Sequence, residues 1–107
     1  MTTYEYCQVS TTTDASEKAE ALARSAVEAR VAACGQVIGP ITSVYRWQGA
    51  VETAQEWLVL FKTTAEGVEP LVAHVRAEHS YDVPEIICTP IVAGNPDYLE
   101  WLTAETS

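Results

Sequence analysis

The sequence predicts an α+β sandwich with the element order β-α-β-β-α-β and a short C-terminal helix, residues 1–107 forming one domain. Three observations carry this expectation. Two stretches with apolar residues at helical spacing separate four stretches rich in β-branched and aromatic residues. A Gln-Gly turn splits the middle pair of extended stretches into a hairpin. Finally, 107 residues with 48% hydrophobic and 20% charged side chains make one respectable core and leave too little for a second.

Tyr4 to Thr11 carries aromatic and β-branched residues and runs into Ser10-Thr11-Thr12-Thr13, a strand giving way to a turn. Asp14 with Glu17 behind it has capping-box spacing, and Ala19, Leu22, Ala23, Ala26 and Val27 follow on one helical face. This helix is expected to reach Ala33 and to be closed by Gly35. Its alanine-rich face predicts a close approach to whatever it covers. Val37 to Trp47 reads as a strand in which Gly39-Pro40 marks a bulge or an edge. Gln48-Gly49-Ala50 is the turn, and Val51 to Thr64 the returning strand. Within it Trp57-Leu58-Val59-Leu60-Phe61 is apolar without alternation and asks for cover on both faces. One helix layer covers one face, so a second subunit is expected to cover part of the other. From Ala65 the helical spacing returns in Val68, Leu71, Val72 and Val75, with Pro70 tolerable only in the first turn. Ile86 to Val92 is the fourth strand, put at or near an edge by Pro90. Asn95-Pro96-Asp97 starts a terminal helix carrying Tyr98, Leu99, Trp101 and Leu102. The order is that of the ferredoxin-like split βαβ, a fold that leaves function to its side chains.

Composition narrows the function classes. Six Lys and Arg against fifteen Asp and Glu give a formal charge of -9, a field that repels phosphate backbones and anionic headgroups. Neither nucleic acid nor a membrane surface is an expected partner. The apolar run Trp57 to Phe61 falls far short of the roughly 20 residues that span a bilayer, and the opening Met-Thr-Thr-Tyr-Glu-Tyr-Cys has neither a basic nor an apolar leader region. A soluble protein is expected. Cys7, Cys34 and Cys88 are odd in number, far apart and without a C-x-x-C pair, which predicts neither a disulfide framework nor a zinc knuckle and is read as a reducing cytoplasm. A metallochaperone of this fold would carry paired cysteines after strand one, an RNA-recognition module basic residues among exposed aromatics, and a phosphatase an Arg with a Gly-rich anion cradle. None of these is present.

The densest chemistry lies in His79-Ser80-Tyr81-Asp82-Val83-Pro84-Glu85, at a helix-to-strand junction. Imidazole and carboxylate are ligands for copper(II) or zinc, while a helix-terminal His equally caps the last carbonyls and complements the helix dipole. Asp82 reads as a solvated turn residue. Glu85 stands directly before Ile86-Ile87, where a partly buried carboxylate needs a partner, and Lys62 and Arg46 are the candidates. Trp47, Trp57 and Trp101 with Tyr45 and Tyr98 read as core or subunit interface. Cys34 reads as a small buried hydrophobe and His74 as solvated. No nucleophile with a base beside it is apparent, so no enzymatic activity is expected.

The stretch from Arg30 to Thr63, RVAACGQVIGPITSVYRWQGAVETAQEWLVLFKT, resembles the CutA divalent-cation tolerance proteins, through its Ala-Ala-Cys and its Ile-Thr-Ser-x-Tyr-x-Trp-x-Gly. The later HSYDVPEII and the terminal Asp97-Tyr98-Leu99-Glu100-Trp101-Leu102 match as well, so the resemblance covers nearly the whole chain. It implies a homotrimer similar in architecture to the nitrogen-regulatory PII proteins, with long hairpin strands pairing between subunits. It also implies a role in tolerance of divalent metals, copper in particular, with a site in a cleft between subunits. The family's proposed ligands are a Cys at the end of strand one, a His and a Glu. His79 and Glu85 match the last two. The Cys position falls near Thr11, four residues beyond Cys7, and Ser80 stands where the family has Pro, so the thiolate is missing and the implied site is harder. The function implied is a cytoplasmic homotrimer binding copper(II) or another divalent cation through His79 and Glu85. The alternative is a PII-like regulatory module that takes a small molecule or protein partner in a cleft near Tyr45, Trp47, Lys62 and Tyr81. A third reading is a purely structural role, with the trimer presenting a surface to another protein.

Overall fold

A computed structural model describes residues 4–107. Residues 1–3, where part of the leader argument rests, lie outside the described residues. Four strands, β1 (Tyr6–Thr13), β2 (Cys34–Trp47), β3 (Ala50–Thr64) and β4 (Ile86–Ile91), form one antiparallel sheet in the order β2-β3-β1-β4. The first strand, β1 (Tyr6–Thr13), turns Cys7, Val9, Thr11 and Thr13 to one face, all of them buried. It starts two residues later than the composition suggests and keeps Thr12 and Thr13 in the ladder, because the long third strand supplies Leu58 and Trp57 to pair with them.

Helix α1 (Ser16–Glu28) begins after an Ala15 cap that makes no side-chain hydrogen bond. The expected capping box is not formed: Asp14 instead pairs with the Lys18 ammonium at 2.9 Å. That hydrogen bond, with the ammonium charge adding to it, holds the Asp14 carboxyl below its ordinary value. The helix also stops short of Ala33. Arg30 adopts the left-handed conformation at φ 61 and reverses the chain, and its guanidinium reaches the carbonyls of Ala104 and Ser107 at the far terminus. Gly35 therefore terminates nothing and lies in a strand. Its missing side chain serves packing, since a Cβ there would meet Ala23 Cβ at 2.8 Å. Ala19, Ala23 and Ala26 thus let the helix sit close on the sheet, as their spacing predicts.

Strands β2 (Cys34–Trp47) and β3 (Ala50–Thr64) form the hairpin. Their register shifts between Ile38 and Ile41, so Gly39 and Pro40 make the expected bulge. Gln48 and Gly49 both take positive φ, 49 and 81, the two-residue loop whose twist suits paired strands. A single 3-10 turn (Ala65–Gly67) leads into α2 (Val68–Glu78), which buries Leu71 and Val75. His74 is not simply solvated: its Nε2 lies 2.7 Å from Ser25 Oγ and ties α2 to α1. The edge strand β4 (Ile86–Ile91) accommodates Pro90. In the last helix, α3 (Pro96–Glu105), the Asn95 side chain accepts the Asp97 N–H and Leu102 is buried.

The core lies between the sheet and α1/α2, built from Val9, Leu22, Val59, Phe61, Leu71 and Val75 with the helical alanines. The second face of the apolar strand is covered only at one end, where α3 brings Tyr98 to Cys34 and Thr103 to Tyr6. Elsewhere Leu58 and Leu60 are half-buried, and Ile38 and Ile87 are 48% and 51% exposed. Among the described residues no helix is long and apolar enough to cross a membrane.

The cysteines depart from expectation. Cys7 and Cys88 form a disulfide with their Cα atoms 6.4 Å apart. Cys88 stands opposite Val9, so Cys7 is its diagonal neighbour on the same sheet face, an adjacency that a separation of 81 residues hides. With that bridge, cysteine usage does not point to a reducing compartment. Cys34 is free and only half-buried, its Sγ 3.6 Å from the Tyr98 hydroxyl.

Candidate functional site: an acidic cleft with aromatic walls

The period of two that turns Val9, Val59 and Phe61 toward the helices turns Thr12 and Glu56 to the opposite face. Beyond the β2 bulge, Ser43, Tyr45 and Trp47 pair with Ala54, Glu52 and Ala50 on that same side. The segment from α2 to β4, residues 79–85, closes over them. Together they enclose a cleft of about 590 Å3 lined by Thr12, Ser43, Tyr45, Trp47, Glu56 and Tyr81, with Asp82 and Glu85 also on its wall.

His79 sets the path of the closing segment. As the residue after α2 it leaves the helix in extended conformation. Its Nδ1 accepts the Tyr81 N–H at 3.1 Å, which makes Nε2 the donor to the Thr12 carbonyl at 2.8 Å. The ring thus pins the segment to the end of β1, and neither bond goes to the last carbonyls of its own helix. Tyr81 packs against it with ring centroids 4.9 Å apart and donates its hydroxyl to Glu56 Oε2 at 2.7 Å. Burial, and then the hydrogen bond to the Glu56 carboxylate, raise the Tyr81 phenol above its ordinary value. Glu56 is only 9% exposed, and the one ion pair among the described residues is Lys18–Asp14, elsewhere on the surface. A buried carboxylate therefore faces the cleft with a single phenol as its hydrogen-bond partner.

Of the residues singled out from the sequence, Tyr45, Trp47, Tyr81 and Glu85 line the cleft, and His79 supports it from behind. Lys62 does not belong to it: its ammonium bonds the Gln36 side chain, near the other end of β3. Glu85 is exposed on the cleft wall and pairs with neither Lys62 nor Arg46. Asp82 is exposed as expected, yet also lines the cleft. Trp57 packs against the core, whereas Trp47 and Trp101 are 49% and 42% exposed. Thr11, near the family's Cys position, is fully buried on the helix side of β1, away from the cleft, and its hydroxyl has no partner. Glu56, Thr12 and Ser43 were not anticipated. Glu56 shares with Glu85 the position just before an apolar run, and that is the signal by which it was findable.

The arrangement is weak as a preformed metal cage. Among the described residues no group of three or more His, Cys, Asp or Glu side chains converges to hold an ion, and ligation by either His79 nitrogen would cost a hydrogen bond. Ser25 and His74 stand at nucleophile-base distance, but among the described residues no third group orients the ring, and neither lines the cleft. Their bond joins two helices.

What the fold and the cleft define is a single-sheet α+β protein with α1 and α2 on one face and, on the other, α3 at one end and an acidic, aromatic-walled recess away from it. The chain belongs to the CutA1 divalent ion tolerance protein family, which it matches over residues 7–105. It is 45% identical over 95 residues to the divalent-cation tolerance protein CutA of Thermus thermophilus, an alignment covering 89% of this chain and 92% of that one. It is 46% identical over 90 residues to the chloroplastic protein CutA of Arabidopsis thaliana, covering 84% of this chain but 50% of that one. The chain therefore spans about half the length of the plant relative. The crystal structure of CutA from Xylella fastidiosa superposes with a TM-score of 0.94 at 35% identity, covering 96% of this chain and 99% of that one.

Proposed function

We propose that this protein acts as a homotrimer that binds a divalent cation, copper(II) among them, at the mouth of the cleft, and that it is a binding protein and not a catalyst. The observation that carries the reading is that Glu56, Asp82 and Glu85 share one cleft whose lining includes no Lys or Arg. A chain of charge -9 adds a general attraction for cations. Glu85 is the ligand best placed, because its carboxylate is exposed and unpaired. His79 joins it only by giving up its bond to Thr12 or to Tyr81. A second chain is expected to complete the coordination, since one chain gathers too few donors for a copper(II) or zinc site. The trimer is supported by the open sheet face, where Leu58, Leu60, Ile38 and Ile87 await cover, and by a hairpin whose Val44 and Val51 are 66% and 65% exposed. Copper(II) titration by calorimetry tests the site: Glu85→Gln is expected to weaken binding by about tenfold or more, and an unchanged affinity would remove Glu85 from the site.

A second reading is favoured by the size and walls of the cleft. About 590 Å3 is room for a small organic molecule, and three aromatic rings line it. In this reading the protein is a PII-like regulatory module that takes a small molecule where Tyr45, Trp47 and Tyr81 converge.

A further inference from the structure

We infer that the cleft binds a small organic cation, of the primary or quaternary ammonium class, with Glu56 as counter-charge and the rings of Tyr45, Trp47 and Tyr81 as walls. This rests on the small-molecule reading of the cleft and names its ligand class; it does not require the metal reading.

Charge is the first ground. Glu56 is 9% exposed, accepts one hydrogen bond, from Tyr81, and has no Lys or Arg beside it. An ionised carboxylate withdrawn from water needs a compensating positive charge, and the cleft is the side from which it can arrive. Asp82 and Glu85 on the same wall add to the negative potential, and no basic residue offsets it. Anionic ligands such as nucleotides are disfavoured by the same groups.

The walls are the second ground. Tyr45 and Trp47 stand two residues apart on one face of β2, which brings both rings to the recess. With Tyr81 opposite them, they set three rings around the recess that Glu56 floors. A cation over the face of Trp or Tyr is attracted by the ring quadrupole, more strongly when water is excluded. Tyr81 contributes a third ring and is held by two fixed contacts, through His79 and Glu56.

The third ground separates an ammonium ion from a bare metal ion as occupant of the cleft floor. Metal ions demand several convergent donors at short range, and no such group of three forms among the described residues. An organic cation is satisfied by one carboxylate and aromatic faces, which is what the floor and walls provide.

The test is calorimetric titration of the intact oligomer, freed of metal with a chelator, against three probes of equal shape. These are choline, its uncharged analogue with carbon in place of the ammonium nitrogen, and tert-butylacetate as the anion. Choline is expected to bind, the uncharged analogue about tenfold more weakly, and the anion weakest. Glu56→Gln and Trp47→Ala are each expected to weaken choline by a similar factor. The exposed position of Trp47 keeps its variant informative should Glu56→Gln disturb the fold. If the uncharged analogue or the anion binds as well as choline, the organic-cation inference falls while a small-molecule cleft stands. If choline binds but neither variant weakens it, the site is not this cleft and the inference falls. If none of the three binds at millimolar concentration, the inference falls and the small-molecule reading loses its support with it.

Discussion

Tyr81 and Glu56 are the pair on which the cleft depends. Replacing Tyr81 with Phe leaves the buried carboxylate without its donor and is expected to destabilise the protein by about 1–2 kcal/mol, measured by urea unfolding. The phenol is also a marker of pH. Its folded value lies above that of the unfolded chain, so the stability it contributes is whole below about pH 10 and is lost as pH rises through the folded value. Tyr98, pushed up to about 12 by burial and by Cys34, acts in the same direction. Tyrosinate absorbance should therefore lag behind that of the unfolded chain on alkaline titration, and coincident curves would contradict the burial of both phenols. His79 separates two roles in one residue. Its ring joins Thr12 to Tyr81, so His79→Ala is expected to cost about 1–3 kcal/mol in metal-free protein. A pure ligand would show no cost until metal is added. Of the residues singled out from the sequence, Tyr45, Trp47, Tyr81 and Glu85 line one cleft and His79 stands behind it; the cluster at 79–85 was legible as a local run of chemistry, and its pairing with β2 was not. Glu56 was not legible, and Lys62 lies outside the cleft of the single chain, since which end of β3 meets the 79–85 segment is decided by register across the sheet and not by local pattern.

Among the elements, the tightest joint is between α1 and β2. Gly35→Ala would drive a Cβ to 2.8 Å from Ala23 Cβ and 3.1 Å from its Cα, and is expected to cost about 1–3 kcal/mol in a thermal or urea melt. Element order was legible throughout, from the alanine face of α1 to the Pro90 edge and the Gln48-Gly49 turn. Boundaries were less so. Asp14 chose Lys18 over the helix cap, and Arg30 turned the chain where composition still suited a helix. The Cys7–Cys88 bridge is a product of strand pairing, invisible to spacing. Protein purified without reductant should have an intact mass lower by two hydrogens than the reduced chain. Removing both thiols as Cys7→Ala with Cys88→Ala should cost about 2–4 kcal/mol, because the bridge closes a long loop in the unfolded chain.

At the scale of the whole molecule, the sheet presents one finished face and one unfinished one. The helices seal Val59 and Phe61, while Leu58, Leu60, Ile38 and Ile87 stay partly open beside a cleft that gathers negative charge. A trimer that covers the open face and brings donors from neighbouring chains to Glu85 answers both needs at once. Native mass spectrometry before and after sub-stoichiometric copper(II) tests this most directly, since one spectrum counts subunits and ions together. The account predicts a trimer that takes up as many as three copper ions, one for each symmetry-related cleft. A monomer, or a trimer that takes up none, would contradict it.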